Sequence, residues 1–152
     1  MQAPTRPQTR EELLVRAKAL QAVTVLNAHL TDGERARIRM ARISFSEKLT
    51  SCGGQCTGTD VELSGPLFDQ PENQFDFDDT VLHELAHAAV RERGHNSHWK
   101  CVAWSIGCSG NVFHSMRTMK DVVKTPPVSM ATRIAKMKLN NEALPHGAGR
   151  RV

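Results

Sequence analysis

Apolar residues recur with a helical period directly after Thr9-Arg10-Glu11-Glu12, where Thr9 and Glu12 have the spacing of a capping box. The apolar positions that follow lie three or four residues apart: Leu13, Ala17, Leu20, Val23, Leu26 and Leu30. This pattern predicts an amphipathic helix of about 20 residues that ends near Asp32-Gly33.

Two later segments alternate between apolar and polar residues, which is typical of half-buried strands. The first runs from Ile38 to Phe45 with a break of phase at Ala41, and the second covers residues 60–64. We predict a small antiparallel sheet of two or three strands. Residues 60–64 are interpreted either as an edge strand that pairs with an extended peptide or simply as a strand that covers a helix.

A helix is predicted from about Thr80 to Arg93, with Gly94 directly after its C-terminus. Its apolar residues leave no wide polar face, so we expect it to be buried in the middle of the domain. A further helix is predicted from Asn96 or Ser97 to Gly107. Helices combined with a separate small sheet predict an α+β fold.

The central helix contains His83-Glu84-Leu85-Ala86-His87. Positions i and i+4 lie about 40° apart around a helix, so both imidazoles can bind one metal ion. A catalytic zinc ion needs three protein ligands and a water whose pKa it lowers to about 7. Glu84 can accept the proton of that water. The alternative is a pair of core histidines bonded to the backbone, with Glu84 in a salt bridge.

The third ligand has to follow His87 in the chain. The downstream acidic residues lie either on the same helix or in the basic C-terminal part: Glu92, Asp121 and Glu142. Position 93, where an HExxHxxGxxH motif needs a histidine, is Arg93. His95 and His98 remain as candidates, because Gly94 allows the chain to turn back toward the metal.

The two histidine motifs, residues 83–87 and Gly94-His95 with Trp99-Lys100, resemble the SprT-like/Spartan family of zinc metalloproteases. In that family a GHGxxF/W motif supplies the third histidine. Residues 45–49 and 61–64 are similar to the family's sheet region.

This resemblance covers about residues 10–115 and implies a zincin-like metalloprotease domain. The zinc ligands that it implies are three histidines: His83, His87 and His95. It also implies that Glu84 is the catalytic base and that His98 is not a ligand. Asn96 stands where the family usually has glycine.

Charge is distributed unevenly along the 152 residues. Residues 117–152 hold eight Lys and Arg against two acidic residues, a net charge of +6, which leaves −2 of the total +4 for residues 1–116. Such a tail allows a polyanionic partner such as DNA, or is simply solvated. We therefore expect an N-terminal tail (1–9), a SprT-like zincin domain (10–116) and a basic, partly disordered C-terminal tail (117–152).

Composition excludes several classes of protein. A hydrophobic fraction of 39% argues against a wholly disordered chain, and no apolar run approaches the ~20 residues of a membrane span. The N-terminus lacks the apolar stretch of a secretory signal. We expect a cytoplasmic, nucleoid-associated or nuclear protein that is not secreted and has no membrane partner.

Two further sets of residues have alternative interpretations. The four cysteines are either free thiols or a second structural metal site: Cys52, Cys56, Cys101 and Cys108. Four arginines are either an anion-binding patch or a solvated strand face: Arg35, Arg37, Arg39 and Arg42.

Three functions are consistent with these features, the third of which is a zinc peptidase with no nucleic-acid role. The first is a zinc-dependent metalloendopeptidase that cleaves protein or peptide substrates, and the resemblance implies DNA-associated or DNA-crosslinked proteins and a role in DNA–protein crosslink repair. The alternative is a non-catalytic, zinc-stabilised DNA-binding or adaptor module of the same fold. The presence of Glu84 argues against the alternative, because a structural zinc site does not need that carboxylate.

Overall fold

The computed structural model describes residues 6–111. Within this range the helices are α1 (Arg10–Thr24), α2 (Asp32–Met40), α3 (Gly65–Phe68), α4 (Phe77–Val90) and α5 (Ser97–Ser105), and a 3-10 helix spans Pro71–Asp76. The strands are β1 (Arg42–Ser46), β2 (Gly54–Thr57) and β3 (Asp60–Ser64). The predicted α+β class is confirmed, and the arrangement is consistent with a zincin-like domain.

The sheet is mixed, with the strand order β1-β3-β2. β2 and β3 form an antiparallel pair, joined by a tight turn in which Gly58 has a φ of 63°, and β2 lies outside the two segments predicted as strands. β1, however, runs parallel to β3, with Ile43 opposite Val61. The prediction of a wholly antiparallel sheet is therefore wrong. The hairpin places β3 between the other two strands, so residues 60–64 are the central strand and cannot be the edge that receives a peptide.

Two helices replace the single long helix that the apolar spacing predicts. The capping box of Thr9 and Glu12 is present at the start of α1. A second capping box, formed by Thr31 and Glu34, starts α2. α2 extends to Met40, so the first strand begins later than predicted. Two positions of the predicted apolar stripe are exposed: Val23 in the last turn of α1, and Leu26, which lies beyond the end of the helix at Thr24.

α4 lies in the middle of the domain, as its apolar composition predicts. Every residue from 79 to 90 is buried, and apolar side chains of α1, α2, α5, β1 and β3 belong to the same core. The helix begins and ends three residues earlier than predicted. Arg91, with a φ of 57°, takes the left-handed conformation after the helix that was expected for Gly94.

The four arginines do not form a row on one strand. Three of them lie on α2 and one begins β1. Arg35 Nε donates to Val25 O at 2.7 Å, Arg37 Nε donates to Ala89 O at 2.6 Å, and Arg42 pairs with Asp60 at 3.0 Å. The interpretation of the four arginines as one solvated strand face is therefore wrong, and three of the guanidinium groups are bonded within the protein.

None of the helices in residues 6–111 is long and apolar enough to cross a membrane. The predicted basic tail and most of the predicted N-terminal tail lie outside the described residues.

Candidate metal centre

Three imidazoles converge on one side of α4. His83 and His87 lie one turn apart on this helix, and His95 lies in the segment between α4 and α5. The Nε2 atom of His95 is 3.1 Å from Nε2 of His83 and 3.1 Å from Nε2 of His87. Within residues 6–111 this is the one set of three His, Cys, Asp or Glu side chains arranged to hold a metal ion.

The outer nitrogens of two of these rings face backbone carbonyls. Nδ1 of His87 donates to Glu92 O at 2.8 Å, and Nδ1 of His83 lies 3.3 Å from Asn111 O. Protons on Nδ1 leave the Nε2 lone pairs of both rings directed at the centre. His95 could donate a proton to one of them but not satisfy both.

The donor set therefore fits a cation. Two nitrogens bound to one tetrahedral zinc ion at about 2.0–2.1 Å lie about 3.3 Å apart, close to the observed separations. Burial, together with the charge of Lys100 for His95, lowers the pKa of His95 below its ordinary value, and burial lowers that of His87. A lowered pKa favours the neutral imidazole that binds a metal.

The segment from Arg91 to Asn96 returns the chain to the metal centre. The left-handed conformation of Arg91 reverses the chain after α4. Asn96 then caps α5, because its Oδ1 accepts the Trp99 N–H at 3.0 Å, and its Nδ2 donates to the Glu92 carboxylate. The backbone of Asn96 is extended, with a φ of −74°, so this position does not need a glycine.

Trp99 forms the floor beneath all three imidazoles. Its ring centroid lies 4.7 Å from that of His83, 5.3 Å from that of His87 and 4.6 Å from that of His95. The indole is fully buried, and its Nε1 donates to His83 O at 3.4 Å. The contact of Trp99 with every histidine of the group is visible only in the structure.

Glu84 places its carboxyl group beside this centre. Its Oε1 is 4.0 Å from Nε2 of His83, and the side chain is buried. Burial raises the pKa of Glu84 to about 8. Since it is the residue next to His83 on the helix, it leaves the helix in another direction and is not one of the converging ligands.

The edge strand β2 passes directly over Glu84. A Cβ atom at Gly54 would lie 3.1 Å from Glu84 Cγ and 3.1 Å from Glu62 O. Contacts of that length are tighter than side chains usually make. The missing side chain at position 54 thus allows a sheet edge to approach the carboxyl group.

A sequence model of the SprT-like family matches residues 19–121, about two thirds of the chain. This chain belongs to the SprT-like family. The match identifies it with a family of metalloprotease type, in agreement with a histidine group that can hold a metal ion. Comparison with curated proteins and with solved structures finds no significant match.

His98, the other candidate from the sequence of this SprT-like chain, is not part of the histidine group. Its Nε2 lies 3.0 Å from Oε2 of Glu34 on α2, and its Nδ1 lies 4.0 Å from Glu92. The four cysteines are free. They form no three-ligand group within the described part of the chain, so the structure gives no support to a second metal site.

One anchoring contact of this SprT-like domain has no signal in the sequence. The carboxylate of Asp79 on α4 accepts the Ser109 N–H at 2.7 Å and the Ser109 hydroxyl at 2.6 Å. This contact holds the chain after α5 against α4, where Asn111 O meets His83. The partners are 30 residues apart, and no periodic pattern relates them.

Proposed function

We propose that this chain is a zinc-dependent metalloendopeptidase in which His83, His87 and His95 hold Zn²⁺ and Glu84 is the general base. The observation that carries the proposal is the convergence of three Nε2 atoms next to a buried carboxyl group that is not one of the converging ligands. Three imidazoles with one position left for water are typical of catalytic zinc sites, whereas structural sites use four protein ligands.

A zinc ion bound there supplies an activated water and polarises the scissile carbonyl group. Glu84 accepts the proton of the attacking water and returns it to the leaving amine. Burial raises the pKa of Glu84 to about 8, which makes it a stronger base than an exposed carboxylate. A cation beside the group favours its ionised form and opposes that rise.

The outer edge of β2 is the surface that best fits an extended polypeptide. Within residues 6–111, β2 pairs with β3 along one side only, so its other side is an edge of the sheet in this part of the chain. Gly54 brings this edge against Glu84. Pairing through main-chain hydrogen bonds places a peptide beside the reacting groups with little side-chain selectivity.

We further propose that the substrates are DNA-associated or DNA-crosslinked proteins and that the protein acts in DNA–protein crosslink repair in the cytoplasm, nucleoid or nucleus. This step is supported by the family resemblance and by the net charge of +6 on residues 117–152. A basic segment increases affinity for polyanions such as DNA in a salt-dependent manner.

The second candidate is a non-catalytic, zinc-stabilised DNA-binding or adaptor module. The basic tail favours it as much as it favours a DNA-dependent protease. The buried carboxyl group of Glu84 argues against it. Burying an ionisable group costs free energy, and a structural metal site does not require such a group.

Glu84→Gln separates the two candidates. We expect kcat/KM for cleavage of an unfolded protein such as casein to fall by about 10²–10⁴-fold, while the variant still binds one zinc ion per chain. Activity is measured with and without single-stranded DNA, and Glu62→Gln on β3 is the matched control. Equal cleavage by Glu84→Gln contradicts the assignment of the base. A zinc-loaded wild-type protein that cleaves nothing in either condition favours the adaptor module.

A further inference from the structure

We propose that Glu34 and His98, which we call the clamp, position the third ligand His95 by connecting the first turn of α5 to α2. The clamp rests on the proposed function to the extent that the three imidazoles hold a metal ion. Neither residue belongs to the group of three histidines. Both act through the segment that carries His95, so they are positioning residues.

Glu34 is built into α2 by its capping box. Its side chain accepts the Thr31 N–H at 2.9 Å through Oε1, which leaves Oε2 for His98 at 3.0 Å. The residue is only 7% exposed. Burial alone would raise the pKa of Glu34, but hydrogen bonds from Thr31 and His98 outweigh it and lower the pKa. The carboxylate is therefore fixed and ionised where His98 meets it.

α2 is also bound to the helix that carries the other two ligands. Arg37 donates to Ala89 O at 2.6 Å in the last turn of α4, where carbonyl groups lack partners within the helix. Ile38 is fully buried in the core that α2 and α4 share. Glu34 and Arg37 lie three residues apart and thus on the same face of α2. This face connects α4 with the start of α5.

The other contacts of the His95 segment are of shorter range. Glu92 O binds His87, and the Glu92 carboxylate binds Asn96, within ten residues of chain. The clamp instead joins residues that are 64 positions apart. Without it, we expect the segment to move more in the metal-free protein, so that metal binding has to order it.

The test measures Zn²⁺ and Co²⁺ dissociation constants of the full chain by competition with a chelator. His98→Ala is expected to weaken zinc binding about tenfold and to change the visible spectrum of bound Co²⁺. Effects of this size are typical when a residue that orients a metal ligand, without binding the metal itself, is removed. His98→Gln can still direct an N–H group to Glu34 and should stay within about threefold of wild type. Cys101→Ser, at an exposed position on the same helix, is the matched control.

A double-mutant cycle adds a second criterion. Glu34→Ala and His98→Ala together should weaken zinc binding no more than the more damaging single change, because both remove one contact. The clamp is refuted if His98→Ala binds zinc as Cys101→Ser does, or if Ala and Gln at position 98 weaken binding equally. If Glu34→Ala does not fold, the comparison of His98→Ala with His98→Gln still tests the clamp, because the side chain at position 98 is half-exposed. A wild-type chain that binds no metal contradicts the proposed function itself.

Discussion

The two parts of the histidine group are held in different ways. His83 and His87 are each 8% exposed and lie on a helix that is packed on all sides by core residues. His95 lies on a segment whose residues 91–94 are all exposed. The helical period and the burial of α4 fix the positions of His83 and His87. The position of His95 instead depends on a few hydrogen bonds of its segment and on the ring of Trp99. The segment that carries His95 is therefore held less firmly than the HExxH helix.

The largest expected effect is at Trp99, where the two parts meet. Trp99→Ala removes a fully buried side chain in contact with all three imidazoles and should lower the free energy of unfolding by about 3–5 kcal/mol. Urea denaturation of the metal-free protein measures this. Trp104→Ala, at a position that is 60% exposed on the same helix, should change stability by less than about 1 kcal/mol. Similar losses in the two variants would show that Trp99 does not join the two parts.

An intermediate effect on the free energy of unfolding is expected at Glu84 on α4. The pKa of Glu84 in the folded, metal-free protein is raised from 4.5 to about 8, so the folded state holds this proton more tightly than the unfolded state. The stability that the proton contributes is fully present below pH 4.5 and is lost as the pH rises through 8. Relative to wild type, metal-free Glu84→Gln should therefore gain about 1–3 kcal/mol between pH 5 and pH 8.

Thermal or urea unfolding in the presence of EDTA measures this difference, in which other titrating groups cancel. A constant difference between variant and wild type across that pH range would show that Glu84 does not ionise in a buried environment. A gain in stability that accompanies a loss of proteolysis is expected of a functional group and not of a structural one.

The smallest expected effect is on the segment itself. Asn96→Ala removes the cap of α5 and the contact with Glu92, and should cost about 1 kcal/mol of stability together with a several-fold weaker binding of zinc. Thr9→Ala removes the equivalent cap of α1, far from the histidines, and should cost a similar amount of stability with no change in zinc affinity. Equal zinc affinities of the two variants would mean that the Asn96 cap does not contribute to the binding of zinc.

Much of what concerns α4 and its two histidines could be predicted from the sequence. The burial of α4 follows from its apolar composition, and the alignment of His83 with His87 follows from the helical period. The capping box of Thr9 also gave the correct start of α1. For α2 the signal was present in Thr31 and Glu34 but was overridden by the apolar spacing, which continued past the true end of α1.

The remainder depends on contacts between distant residues. Spacing left both His95 and His98 as candidates, and only the fold places one beside α4 and the other beside Glu34. A period of two carries no information about strand order or direction, so the sequence could not show that β1 runs parallel to β3 in a mixed sheet. The sequence also does not show which arginines of α2 have partners on other elements, such as the hydrogen bond from Arg37 to Ala89 O on α4.

A buried helix with two histidines and a glutamate could be inferred from the order of residues alone, because helical period and hydrophobic burial act between residues that are neighbours in the chain. The strand that forms the edge above Glu84, the histidine that completes the group and the helix that supports it became known from the packing of the folded chain. These outcomes depend on packing between elements tens of residues apart, and local patterns do not encode which of several compatible surfaces will meet.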